Sequence, residues 1–477
     1  MNFTPTSKII VFIAILVLFQ SCKTLIQTPQ SSIGKLPKSF ALNKKDSLNT
    51  SALKWKVFFD DENLKSLIDS ALKNNLELKS YSQEILQRKN EVRARKGDYL
   101  PFVNVIGGSG FDRPGKYTRM GAIEDKINIL DNKPNPLPIG DFGFGAMATW
   151  EIDIWKKLRN SKKAAANRYL ASMEGRNFLV TSLVGEVAEN YYDRLALESI
   201  LRVIEQNIEI QNNVLKVIIQ QKDAAKVSQL AVYRFEAQLM NTKNLEYVVK
   251  QKIVTVENRL RFLLGKFEQD FPIISTQFDD TKIETLNVGK PEELLLKRPD
   301  IRAAELELEA AKLEVKVARA GFYPSLGLVS GIGLQAFSLS YLFDPESLFS
   351  GLLGNFISPL VNRNALKAYY ANANARQQQA LLKYEQNVLQ AYLEVNTQMQ
   401  GMFNLEKSFD TKKKQVSLLN ESINTSINLF NNARADYGEV LFTQREMLEA
   451  KLELIEIKNE QLKTKVKLYR TLGGGWE

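Results

Sequence analysis

From Lys156 to Gln221 the chain carries no proline, and apolar side chains return every three or four residues: Leu183, Val187, Tyr191 and Leu195, then Val203, Ile208, Leu215 and Ile218. That spacing is one face of an α-helix. Rising about 1.5 Å per residue, a helix of ~65 residues is ~100 Å long. No ordinary globular core covers such an element, so other long helices must flank it, as in a coiled coil. A return helix is at hand. It runs through Leu230, Tyr233, Ala237 and Met240 to Leu264, after a break at Asp223–Lys226 and before a stop at Gly265.

The residues just before this hairpin have a different period. Phe142, Phe144, Ala146, Ala148, Trp150, Ile152 and Ile154 alternate with Gly143, Gly145, Met147, Thr149, Glu151 and Asp153. A period of two is an extended strand with one apolar face and one mostly polar, glycine-rich face. Taken alone, the stretch fits a bilayer-crossing barrel strand and a long strand of a soluble sandwich equally. The helix that follows is far too long for a sandwich.

The same scheme occurs twice. A helical pattern starts near Asp60 with Leu64, Leu67, Ile68, Ala71 and Leu72, and continues to Lys96–Gly97. A strand over 101–111, a proline-bearing loop over 112–140 and the strand 142–155 follow. Downstream, a helix over 300–320 leads to strands over 325–336 and 349–360. A long helix from Arg363 past Ile427 breaks at Arg434–Gly438 and returns through Val440, Met447 and Leu452. The chain thus reads as two copies of helix, strand, strand and long helical hairpin, over 60–290 and 291–477. The hairpins occupy 156–265 and 361–472. Residues 266–290 read as a mixed linker, and 23–50, rich in Ser, Thr, Asn, Pro and Lys, as a tether within an N-terminal segment 22–59.

Four strands cannot close on themselves. In lipid an open sheet edge leaves unpaired backbone groups at several kcal/mol each, so chains in a membrane must pool their strands. Two, three or four copies give eight, twelve or sixteen strands, and the arithmetic does not choose among them.

Composition narrows the function. The 477 residues include no histidine, which excludes Ser-His-Asp and Cys-His catalysis and histidine-ligated metals. No phosphate loop or nucleophile elbow is present, and the reading is of a non-enzyme without cofactors. The net charge of +10 is spread along the chain rather than gathered beside aromatic clusters, which argues against a nucleic-acid surface. The one cysteine, Cys22, follows Lys8, the apolar run Ile9–Phe19 and Gln20-Ser21. That run is too short to span a bilayer and suits a signal peptide over 1–21. The arrangement resembles a bacterial lipoprotein signal, in which Cys22 becomes the acylated first residue. Lys23 in place of the Asp that retains many lipoproteins at the inner membrane points to the outer membrane.

Four motifs carry a family resemblance. Lys297–Glu305, KRPDIRAAE, is similar to the RPDxRxAE signature of the TolC-like outer membrane efflux family, and Leu472–Trp476, LGGGW, to the close of its NodT- and OprM-like lipoprotein branch. Gly321–Ser325 and Trp150–Trp155 also resemble that branch. The resemblance covers the mature chain. It implies a homotrimer with a shared twelve-stranded barrel in the outer membrane and a long α-helical barrel in the periplasm. It further implies a duct docked by a periplasmic adaptor (membrane fusion) protein and an inner-membrane pump, with the resistance-nodulation-division type leading over metal efflux or type I secretion.

In that family acidic residues at the hairpin tips gate the duct, and Asp436 or Glu439 can serve here. Arg434, Asp223 and Lys226 are the neighbouring charges, with Asp223 and Lys226 placed to pair across the first tip. Solvated charge at a turn is the plainer reading of each. Arg298, Pro299 and Asp300 read as structural: Pro299 opens a helix, Asp300 suits its first turn, and Arg298 anchors locally. Glu151 and Asp153 read equally as lumen lining or as a solvated strand end. A function of another class, a lipid-anchored adhesive or structural coiled-coil protein, accounts for the helices and Cys22 but not for the paired glycine-rich strands.

Overall fold

The computed structural model describes residues 36–40, 54–131, 133–269, 271, 278, 288, 290–432 and 434–476. The signal segment 1–21, Cys22 and most of the tether and linker lie outside the described residues. In chain order the elements are α1 (Trp55–Phe58), α2 (Glu62–Asn74), α3 (Leu76–Asp98), β1 (Phe102–Asp112), α4 (Arg119–Glu124) and β2 (Ile139–Ile152). The long α5 (Lys157–Asp223) and α6 (Gln229–Leu264) follow, then α7 (Glu292–Lys297), α8 (Pro299–Ala320), β3 (Ser325–Ala336) and β4 (Leu348–Ile357). The chain closes with α9 (Asn364–Asn431) and α10 (Tyr437–Thr471). Among the described residues no helix is long and apolar enough to cross a membrane.

Two compact units result, and neither is one of the two expected sequential copies. The described residues of one are 86–170 and 306–382; the other is drawn from 32–85, 171–305 and 383–477. Each takes segments from both halves, because strands of the two halves pair in one sheet and their helices share cores.

The first unit holds that sheet, antiparallel in the order β1-β2-β3-β4. Its register decides which side chains share a face. Phe144 lies opposite Gly107 and Leu334, and Ala146 opposite Val105 and Ile332, with Ser350 beyond. Followed across all four strands, this face contains no ionisable side chain. The other face carries Asp112, Asp141, Glu151, Asn104, Gln335 and Asn355 among glycines. Where Gly145 meets Gly333 the backbones approach closely: a Cβ on Gly145 would stand 2.5 Å from the Ile332 carbonyl oxygen. No larger residue fits there without moving a strand. β2 starts at Ile139, earlier than expected, because Ile139 completes the ladder opposite Asp112, and it stops at Ile152, short of the expected Trp155, where Asp153 turns to cap α5. β4 stops at Ile357, ahead of Pro359, which has no N–H to give a neighbour.

The second unit is a helical core. Leu64, Ile68 and Ala71 of α2 are fully buried against Val187 and Tyr191 of α5, Leu260 and Leu264 of α6, and Val466 and Tyr469 of α10. Each buried Leu, Ile or Val among them contributes about 1.5–3 kcal/mol on leaving water. Phe58 stacks on Tyr469 with centroids 3.8 Å apart. Asp61 caps α2 by accepting from the Asn63 N–H at 2.8 Å, and its other oxygen accepts from the Tyr191 hydroxyl at 2.6 Å. The helix expected from about Asp60 to Lys96–Gly97 is divided at Asn75. That buried amide accepts from the Leu78 N–H at 2.9 Å and donates to the Leu263 carbonyl at 3.0 Å. It caps α3 while satisfying a free carbonyl at the end of α6.

Candidate functional site

The two hairpin tips are built from similar local parts. At the first, the Lys226 N–H reaches back to the Gln221 carbonyl at 2.8 Å and Ala225 turns left-handed at φ 55. At the second, the Arg434 N–H reaches the Leu429 carbonyl at 2.8 Å. Small polar residues, Ser228 and Asp436, occupy the N-cap positions of α6 and α10, although neither side chain makes a capping bond. The tips pack on one another. Ile218, Val232 and Phe235 of the first hairpin form a cluster with Phe430, Tyr437 and Leu441 of the second. This apolar joint leaves the charges outside it: Asp223, Lys226, Arg434, Asp436 and Glu439 are all exposed. Asp223 pairs with the adjacent Lys222 at 3.3 Å, so the expected Asp223–Lys226 contact is not made. The turn carries Lys226 past Asp223, while Lys222 is its neighbour in the chain. Among the described residues Lys226, Arg434, Asp436 and Glu439 have no ion-pair partner.

Arg298, by contrast, is buried and fully engaged. Its guanidinium meets both oxygens of Asp300 at 3.0 and 2.7 Å, Glu394 of α9 at 2.8 Å and the Thr471 carbonyl at 3.1 Å. Burial lowers its pKa and the contacts with Asp300 and then Glu394 raise it, leaving the group above its usual value. Pro299 opens α8 with Asp300 in its first turn, as expected. The anchoring is not local, however. Arg298 ties the start of α8 to α9 and to the end of α10, and Gly473, at φ 90, folds onto Lys297 so closely that a Cβ would stand 2.8 Å from the Lys297 carbonyl. The KRPD and LGGGW motifs are therefore two sides of one contact. Neither Glu394 nor Thr471 stands out in the sequence; the joint occurrence of the two motifs was the available sign.

At the strand–helix junction Asp153 is buried, and it caps α5 by accepting from the Leu158 N–H at 3.1 Å and the Arg159 N–H at 2.9 Å. It neither lines a lumen nor sits in solvent. Glu151 stays on the polar face of the sheet and pairs with Lys157 at 2.8 Å.

An ion-free sheet face, outer strands β1 and β4 that pair on one side alone among the described residues, and long hairpins joined at their tips match a known architecture. The profile of the family described as outer membrane efflux protein fits residues 67–266 and 291–474. The chain belongs to this family. It is 25% identical over 446 residues to the cation efflux system protein CusC of Escherichia coli O6:H1, covering 93% of each chain. It is 23% identical over 469 residues to a probable outer membrane lipoprotein, SilC, of Salmonella typhimurium, covering 97% of this chain and 98% of SilC. Among solved structures, the open state of the Neisseria gonorrhoeae MtrE outer membrane channel superposes with a TM-score of 0.82 at 22% identity, over 95% of this chain and 98% of that one. This outer membrane efflux protein thus has the fold of the solved outer membrane channels, mostly helical with one four-stranded sheet.

Proposed function

We propose that three copies of this outer membrane efflux protein pool their sheets into one twelve-stranded barrel and conduct substrate passively out of the cell. The observation that carries this reading is the sheet itself, ion-free on one face, polar and glycine-rich on the other, and unpaired at β1 and β4. In lipid those edges cost several kcal/mol per backbone group until another chain covers them. The four helices α5, α6, α9 and α10 of each chain, two hairpins from two internal repeats, continue the duct through the periplasm. Their joined tips face a periplasmic adaptor, behind which an inner-membrane pump supplies the energy. Cys22 anchors the chain by acylation, as the description of its relative SilC as a probable outer membrane lipoprotein supports.

The tips are the gate. In a trimer the unpartnered Asp436 and Glu439 recur three times about the axis, a ring attractive to cations and reluctant to close without counter-charge. Arg434 and Lys226 are the cations at hand to hold it shut. The name of CusC raises cations as a substrate, yet this chain has no histidine and eight methionines with no dense cluster. The substrate class is therefore assigned to the pump. Reconstitution tests the reading: purified protein in a planar bilayer should show cation-selective channels and, on gels, trimers that dissociate on heating. A monomer that adsorbs to lipid without conducting would overturn it.

A further inference from the structure

Where β2 and β4 end, the apolar face of the sheet gives way within a few residues to a border in which cations outnumber acids. Ile154 and Trp155 follow β2, Leu360 and Val361 follow β4, and all four are exposed. Trp155 is held there by its indole N–H, which donates to the Pro324 carbonyl at 2.7 Å, and by stacking on Tyr323 at 4.8 Å. Indoles so placed, with an apolar body and a polar tip, mark the boundary between lipid and water. The next residues are cationic. Lys156, Lys162 and Lys163 lie at the start of α5 and Lys367 in the first turn of α9, with no acid in α5 before Glu174 or in α9 before Glu385.

Of the cations that follow β2 and β4, Lys157 and Arg159 are taken up by Glu151 and Asp153, and the Arg363 guanidinium lies over the Phe322 ring. Among the described residues Lys156, Lys162, Lys163 and Lys367 have no ion-pair partner. The helices themselves do not call for them: the macrodipole favours acids in a first turn and disfavours cations, and neither α5 nor α9 has an acid there. Lys156 also holds a left-handed backbone at φ 59, a conformation that costs a lysine more than the asparagine found at φ 51 before α9, Asn362.

We propose that these four lysines bind the phosphates of anionic phospholipids in the membrane leaflet that faces the periplasm. The inference rests on the barrel reading, in which α5 and α9 leave the membrane on that side. Lys163 lies about 10 Å along the helix from Lys156, a few Å beyond a headgroup layer about 5–8 Å thick. Lysine stems extend along apolar surface to place their amines in that layer.

The test uses the full-length trimer inserted in vesicles of phosphatidylcholine alone or mixed with phosphatidylglycerol. Brominated forms of each lipid quench the fluorescence of Trp150 and Trp155 when they occupy the surrounding shell, which gives a relative binding constant. The wild type should prefer phosphatidylglycerol several-fold at low salt, and each Lys→Gln change should remove part of that preference, well below the roughly fivefold that about 1 kcal/mol per lysine would allow. The quadruple K156Q/K162Q/K163Q/K367Q protein should reach parity, whereas the quadruple Lys→Arg protein should keep the preference. Equal binding of both lipids by the wild type, or an undiminished preference in the Gln protein, would overturn the proposal and leave the barrel standing. Failure of the wild type to insert in either vesicle would overturn the barrel and the proposal with it.

Discussion

The sheet assignment makes a sharp claim about two residues of β2. The strand spans Ile139–Ile152, so Phe144 and Met147 lie equally far on either side of its midpoint. Each sits about 4 Å from the bilayer centre for a strand rising about 3.4 Å per residue and tilted about 40°. Their depths match but their faces differ: Phe144 shares the ion-free face with Leu334, and Met147 lies opposite Gly331 and Asn104 on the polar one. Phe144→Arg places a guanidinium in hydrocarbon, at ~2–4 kcal/mol per chain and thus ~6–12 kcal/mol per trimer. At about 1.4 kcal/mol per tenfold, insertion of one chain weakens roughly 30- to 700-fold. Met147→Arg meets water in the lumen and should insert like the wild type while shifting selectivity away from cations. The assay is refolding from urea into vesicles, scored as the fraction migrating as heat-dissociable trimer. Equal losses in the two variants, or a larger loss in Met147→Arg, would refute the face assignment.

Arg298→Ala should destabilise the fold by about 3 kcal/mol, the low end for a broken buried pair, because Asp300 and Glu394 keep some water contact. Thermal unfolding of the purified protein measures it, and a loss under 1 kcal/mol would mean the cluster is dispensable. Replacing Asp436 and Glu439 together by Ala should lower cation selectivity and weaken block by multivalent cations, whereas Arg434→Ala or Lys226→Ala should raise basal conductance; all three variants unchanged in the bilayer would retire the gate. Cys22→Ser should accumulate an unacylated precursor that keeps residues 1–21, read by intact-protein mass spectrometry, and a wild type that also keeps them would exclude the lipid anchor.

Much of this molecule was legible because two periods leave little choice. Alternation from Phe142 to Ile152 and helical spacing from Leu183 to Ile218 admit one backbone state each, and β2 and α5 occupy those stretches. What escaped were decisions made by distant partners. Asn75 breaks a continuous helical pattern because Leu263, far along the chain, needs its amide. A carboxylate at the end of a strand looks the same whether it faces a lumen or caps a helix, so Asp153 was undecidable until the turn into α5 was seen. Arg298 finds Glu394 and Thr471 on other helices, and no local spacing announces them. At the tips, the charges were visible in sequence, but their packing partners, Phe235 with Tyr437 and Leu441, were not.

One measurement puts the number of chains and the path of conduction to the test together. In a Cys22→Ser background, Met147→Cys places a single thiol per chain on the polar face of β2. Treating one open channel with a charged, thiol-specific reagent should lower its current in three discrete steps of similar size, one for each chain around a shared lumen. The same treatment of Phe144→Cys should leave the current unchanged. Two or four steps would contradict the trimer, and a current indifferent to Met147→Cys would contradict a duct lined by the glycine-rich face.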